Sequence, residues 1–279
     1  MIRFSVALLL GTAIATPAFA QDAPPAEFSG FYVGGSIGTT FPADNDDETI
    51  LFDRDLNGSF GDTVTTSTGA NAFSTGFCGG SAGTSATPPT GGCEESENEI
   101  EFAGRIGFDI QSGSIVFGVV GEVGTTDYRA STTGFTTTPA SYTFTREIDY
   151  IADARARIGV TVTPTSLVYA TGGLSMAKFE STFTTTNTVN SVNRGGLDDE
   201  DTGYVVGAGF EQKVTRNIAF GLEYLYREFE DDSRVRFGNS GTTPATNPFL
   251  LGNPNGTDFA RSQAEFDIHS LRAVVNFRF

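Results

Sequence analysis

The 279-residue sequence has no tryptophan, one histidine, two cysteines, two methionines and only 17 Lys+Arg against 34 Asp+Glu. Each shortage removes a class of function. A formal charge of −17 leaves no basic face for a nucleic acid, so no nucleic-acid partner is expected. The cysteines, Cys78 and Cys93, lie too far apart for a C-x-x-C redox motif. The lone His269 is followed by Ser270, but adjacent residues of a strand point to opposite faces. That pair cannot share a proton, and no hydrolytic triad forms even though Asp267 lies on the histidine's face. Beyond residue 20, no run approaches the ~18 apolar residues of a membrane helix. If the mature chain enters a membrane, it must do so as a closed barrel.

The one apolar run stands at the start, in MIRFSVALLLGTAIATPAFA. Arg3 supplies a basic beginning, Phe4 to Ala15 an apolar stretch too short to span, and Ala18-Phe19-Ala20 a cleavage site after Pro17. This predicts a signal peptide over 1–20, a short segment over 21–27 and a single domain over 28–279. Loss of Arg3 takes the mature charge from −17 to −18.

What is abundant fits strands and turns: 34 Gly, 25 Phe and many Thr. At the C-terminus, Leu271, Ala273, Val275, Phe277 and Phe279 alternate with Arg272, Val274, Asn276 and Arg278, a period of two. Seven earlier segments behave alike. They begin near Phe28, Asn98, Ser114, Thr145, Ser166, Gly203 and Ile218. In the fourth, Ile148, Tyr150, Ala152, Ala154, Ile158 and Val160 alternate with Glu147, Asp149, Asp153, Arg155 and Arg157. In the fifth, Leu167, Tyr169 and Phe179 are expected to face outward. A β-sandwich would alternate too, so the connections decide. Those at 111–113, 163–165 and 215–217 are short, and those at about 40–97, 129–144, 181–202 and 232–263 are long. Strict alternation of short and long belongs to an antiparallel barrel with periplasmic turns and extracellular loops. The expected fold is all-β: an eight-stranded antiparallel transmembrane barrel with four long extracellular loops.

The opening FSGFYVGGSIG, the eight-strand rhythm and the terminal NFRF resemble the small outer-membrane β-barrel family. That family includes OmpA-like barrels and opacity-type, porin-named surface proteins of Gram-negative bacteria. The resemblance covers about 28–279 and departs from the family in its unusually long first loop. It implies an outer-membrane location, with the surrounding lipid as a partner. It also implies that the barrel-assembly machinery recognises the terminal strand through Phe279, Phe277 and Val275.

Three groups of residues are candidates for chemistry. Inward charges of both signs are expected to interlock across the lumen: Arg105, Arg155, Arg157, Arg227 and Arg272 with Glu101, Glu122, Asp153 and Glu223. Glu99, Asp109, Asp149 and Glu211 share those faces. Cys78 and Cys93, an even pair in an exported chain, predict a disulfide worth about 3 kcal/mol in the chain-entropy picture. Asp53, Asp55 and Asn57 open a D-x-D-x-N-G calcium pattern, with Asp44, Asp46, Asp47 and Glu48 upstream. Val64 occupies the place of the closing bidentate Glu, so the alternative is a plain solvated loop. No other cofactor is expected. The functional expectation is a non-enzymatic structural and interaction barrel that displays its loops to an extracellular ligand or host surface. A narrow porin-like channel is the alternative, and a lipid-modifying enzyme the remotest reading.

Overall fold

The computed structural model describes residues 27–42, 48–80, 83, 85–93, 96–197, 200–230, 233–263 and 265–279. The signal-peptide expectation, most of the 21–27 segment and Asp44, Asp46 and Asp47 lie outside the described residues. The strands are β1 (Gly30–Pro42), β2 (Ile50–Asp53), β3 (Phe77–Gly80), β4 (Glu99–Ser112), β5 (Ile115–Thr126), β6 (Arg129–Thr136) and β7 (Ala140–Thr163). They continue as β8 (Ser166–Thr185), β9 (Ser191–Gly196), β10 (Glu200–Lys213), β11 (Ile218–Glu230), β12 (Arg234–Gly238), β13 (Thr257–Arg261) and β14 (Glu265–Arg278).

Eight of them close a ring in the order β1-β4-β5-β7-β8-β10-β11-β14, every pair antiparallel. The last strand meets the first from Tyr32 opposite Arg278 to Pro42 opposite Ile268, so the alternating C-terminal segment leaves no open edge. Along β4, Ile100, Phe102, Ile106, Phe108 and Ile110 all point outward and stay exposed. That stretch matches the roughly 9–11 residues with which a tilted strand crosses a bilayer. The short turns gather at one end, where Gly113 takes a φ of +62° that a side chain would resist. All four long connections leave from the other end.

Two expectations about facing are overturned. Leu167, Tyr169 and Phe179 point into the barrel, at 0%, 4% and 2% exposure, while Val168, Leu174 and Met176 face out. Hydrophobicity misleads here because the interior carries apolar layers of its own, so both faces of β8 look greasy. In β7 the pairing with β8 slips between Ile148 and Tyr150, a bulge that reverses the alternation. Ile148 is therefore buried, whereas Asp149 and Glu147 lie outside, paired with Lys178 (3.2 Å) and with Arg129.

The long connections are folded rather than slack. β6 pairs with the extension of β7, β8 continues alongside it to Thr185, and β3 adds to β6. Above them, β2-β13-β12-β9 form a second, four-stranded sheet. Between the sheets lies a core of rings, including Phe52, Phe73, Tyr142, Phe144, Phe183, Phe237, Phe249 and Phe259. Phe52 meets Phe259 edge-on with centroids 4.8 Å apart, and Phe144 meets Phe183 likewise at 4.7 Å, the offsets that ring quadrupoles favour. Cys78 and Cys93 are bonded, with Cα atoms 5.3 Å apart, tying β3 to the chain that returns toward β4. This folded cap is the head of the molecule.

The charged interior of the barrel

Because alternate residues of every strand point inward, the lumen is filled in layers. At the turn end, the Phe28 ring lies against Lys213 and Arg278, at 4.7 and 5.3 Å, and Arg278 Nη1 donates to the Phe28 carbonyl at 2.6 Å. Above this floor, Arg157 and Arg278 face Asp109 and Glu211. Arg157 Nε donates to Asp109 Oδ1 at 2.7 Å, and Arg278 Nη2 to Glu211 Oε1 at 2.8 Å. The Arg157 guanidinium also lies over the rings of Tyr32 and Tyr169, at 4.9 and 5.0 Å.

The next layer holds Arg105, Arg155, Arg227 and Arg272 with Glu101, Glu122, Asp153 and Glu223. Arg105 meets Glu122 at 2.5 Å and Glu223 at 2.7 Å, while Arg155 meets the same two at 3.1 and 3.3 Å. Arg227 binds Asp153 at 3.0 Å, and Arg272 binds Glu101 at 2.7 Å and Glu122 at 2.5 Å. All eight side chains are 3% exposed or less. Desolvation at such depth is repaid only by this kind of multiple pairing. Arg157 is the departure from the expected network: it belongs to the lower layer, with Asp109 and Glu211, and touches none of the carboxylates first assigned to it.

Glycine makes the cross-lumen reach geometrically available. Next-nearest strands are about 9–10 Å apart, two inter-strand spacings. Gly118 of β5 is in register with both Asp109 of β4 and Arg157 of β7, which pair across it. Gly209 of β10 likewise separates Tyr169 from Glu223, and the tyrosine hydroxyl donates to the carboxylate over it at 2.9 Å.

Above the charges lies an apolar septum of Tyr128, Ile148, Ile151, Phe179, Phe229, Phe266 and Ile268. Higher still, buried Glu48 accepts from Arg261 Nε at 2.6 Å and from the hydroxyl of Thr132, linking three of the long connections at the neck. Sequence reasoning missed this pin and the role of Arg278. Arg278 was legible from the inward parity of the last strand. Glu48 enters the sequence reading only as an upstream oxygen for the calcium pattern; its oxygens are instead taken by Arg261 and Thr132, and its stretch has no periodicity to mark it as buried.

Ser270 and His269 lie on opposite sides of the wall. Ser270 Oγ donates to Glu101 at 2.5 Å inside, while His269 Nδ1 lies 2.5 Å from the Tyr224 hydroxyl outside, its ring stacked on Phe41. The carboxylates of Asp53, Asp55 and Asp62 converge to within 4.8 Å of one another. Both oxygens of Asp53 accept backbone amides, from Asn57 at 3.1 Å and Gly58 at 2.8 Å. The Asn57 side-chain oxygen instead accepts from Ser59 N at 2.8 Å. At the other end of the barrel, Phe279, Phe277 and Val275 are exposed on the outer wall, and the Phe279 ring lies 5.9 Å from Phe31.

An apolar belt outside, paired charges inside, short turns at one end and a folded head at the other define a transmembrane barrel of the outer membrane. The chain belongs to the family described as outer membrane protein beta-barrel domain, which matches residues 6–279. It is 27% identical over 133 residues to the 31 kDa outer-membrane immunogenic protein of Brucella melitensis, covering 48% of this chain and 47% of that one. It is 29% identical, also over 133 residues, to a 22 kDa outer membrane protein of Rhizobium leguminosarum, covering 46% and 53%. The match thus spans about half the length of these curated relatives. Among solved structures, the outer membrane protein OprG of Pseudomonas aeruginosa aligns over 90% of this chain and 97% of its own, at 10% identity and a TM-score of 0.47.

Proposed function

We propose that this protein is a closed structural barrel that braces the outer membrane and displays its folded head outside, without conducting solutes or catalysing a reaction. The observation that supports this reading is the filled lumen: a ring-stoppered floor, two ion-paired layers and an apolar septum in series. Eight strands enclose a space just wide enough for side chains, whereas open aqueous channels use about 16–18. The Ser270 hydroxyl is held within the charge network and His269 faces the bilayer, so neither is placed to act on a substrate with the other. Its partners on this reading are outer-membrane lipid along the belt and the barrel-assembly machinery, engaged through Phe279, Phe277 and Val275. An extracellular ligand or host surface would meet the head.

Planar-bilayer recording of refolded protein tests the sealed lumen. The expected trace shows no steady conductance on a porin scale. Stable, ion-selective openings that change in Arg155→Ala would replace this reading with the narrow-channel alternative.

A further inference from the structure

The outer wall carries a trough of about 710 Å³. It crosses five strands through Phe220, Val275, Gly35, Gly104 and Val123, which stand in one continuous register. Gly35 and Gly104 make the floor: lacking side chains, they lie between the exposed pairs Ile37–Phe102 and Val33–Ile106. Strands of a closed barrel tilt, so a line drawn across them also climbs. Phe220 is two residues from the turn end of β11, whereas Val123 is three from the long-connection end of β5. The trough therefore rises obliquely over four inter-strand spacings, about 19 Å, through the lipid-facing belt.

Its upper end gives onto a polar recess. Thr125 and Tyr150 close the trough, and the Thr125 hydroxyl donates to the Asp149 carbonyl at 2.8 Å. Asp127, two residues beyond Thr125, already belongs to a recess of about 590 Å³ lined also by Glu97, Glu99, Glu147 and Arg129. Four carboxylates against one guanidinium leave an excess of three negative charges. Arg129 is paired with Glu147, and Glu97, Glu99 and Asp127 have no cationic partner among the described residues.

Lipid tails are as apolar as the trough, so the trough alone selects no lipid. Selection falls to the recess, where an anionic headgroup meets net repulsion and an ammonium meets three unpaired carboxylates. Arg129, with 57% of its side chain exposed, is at hand for the phosphate of a zwitterionic headgroup. We propose that trough and recess together bind one amine-headed phospholipid, its chain along Gly35 and Gly104 and its ammonium among Glu97, Glu99 and Asp127. The proposal rests on the belt being lipid-facing and is independent of whether the lumen conducts.

The sequence has no tryptophan, so one introduced on the wall is a sole fluorescent reporter. Phe102→Trp stands on the bank of the trough, and Val206→Trp on β10, four strands around the ring. Each variant is refolded into vesicles of phosphatidylethanolamine and phosphatidylglycerol, with bromine on the chains of one lipid at a time. Quenching in Phe102→Trp is expected to show at least about a fivefold preference for the ethanolamine lipid, the scale of one exposed unit-charge contact. Val206→Trp should show none. Glu97→Gln with Asp127→Asn, both at exposed positions, should cut the preference to about twofold or less. Gly104→Leu, which fills a floor where a Cβ meets nothing within 4 Å, should do the same from the other end. Heat-modifiable gel mobility establishes that each variant is folded.

Equal quenching by the two lipids in Phe102→Trp would overturn the proposal. So would a preference for the glycerol lipid, with or without calcium, or an undiminished preference in the folded charge-neutralised or filled variants. The same preference in Val206→Trp would assign it to the wall at large and overturn the site. Absence of quenching in both reporters would overturn the lipid-facing belt and the proposal with it, whereas equal quenching overturns the proposal alone.

Discussion

Arg272 donates to Glu101 at 2.7 Å directly across Gly38, the residue of β1 with which both are in register. Two residues 171 positions apart thus meet over a strand that contributes no side chain between them. The same device operates at Gly118, where Asp109 meets Arg157, and at Gly209, where the Tyr169 hydroxyl meets Glu223, so these three inward glycines let polar side chains meet across a strand.

Replacing Gly38 therefore differs from replacing a glycine on the outer wall. A Cβ at Gly38 would overlap Arg272 and the Leu271 carbonyl, whereas one at Gly104 meets nothing within 4 Å. Gly38→Ala is expected to cost about 1–3 kcal/mol or more by overpacking, and Gly104→Ala close to nothing. Urea midpoints of the refolded barrels compare the two. Equal midpoints would remove the crossing argument.

Cutting one partner from the middle layer should cost more than removing a pair. Arg227→Ala leaves Asp153 buried without its 3.0 Å partner, a loss of about 3–5 kcal/mol. Adding Asp153→Ala should recover part of that loss, since Arg227 also lies 3.6 Å from Glu101 and Glu122. Equilibrium refolding of both variants measures the difference. A double mutant no more stable than the single would contradict the pairing.

Phe279→Asp is expected to lower the amount of heat-modifiable barrel in the outer membrane and to leave unfolded chain in the periplasm. The Phe279 ring is 70% exposed on the outer wall, where a charge gains nothing from the fold and faces lipid. Wild-type levels of folded protein from this variant would dismiss the terminal residue as an assembly signal.

Calcium titration of the first long connection is expected to be flat through about 1 mM, the weak end for extracellular sites. Asp53 already holds two backbone amides, and Val64 stands buried where the closing carboxylate would be needed. Saturable binding that Asp62→Asn abolishes would instead assign Asp53, Asp55 and Asp62 to a cation.

The alternation of β4, β5, β10, β11 and β14 was legible because lipid on one side and paired charges on the other force opposite chemistries onto successive residues. The residues of the middle layer were legible for the same reason, down to their names. Leu167 and Tyr169 were not, because their strand carries apolar and aromatic side chains on both faces, and periodicity cannot say which greasy face is which. Ile148 and Asp149 were missed because a bulge is a property of pairing between strands and leaves no mark on a single strand's pattern. The head was read as loops for a related reason. Its rings, such as Phe73 and Phe249, are spaced by contacts among four distant segments rather than along any one of them.

Phe28 and Arg278 set an order in time as well as in space. The floor needs a ring from just before the first strand and a guanidinium from the end of the last, 250 positions later. No partly threaded barrel can assemble it, however many strands have already paired. Until the final strand zips onto the first, Lys213 and Phe28 stand at an open mouth. The stopper thus cannot form before the last strand meets the first, and its presence reports that the ring has closed.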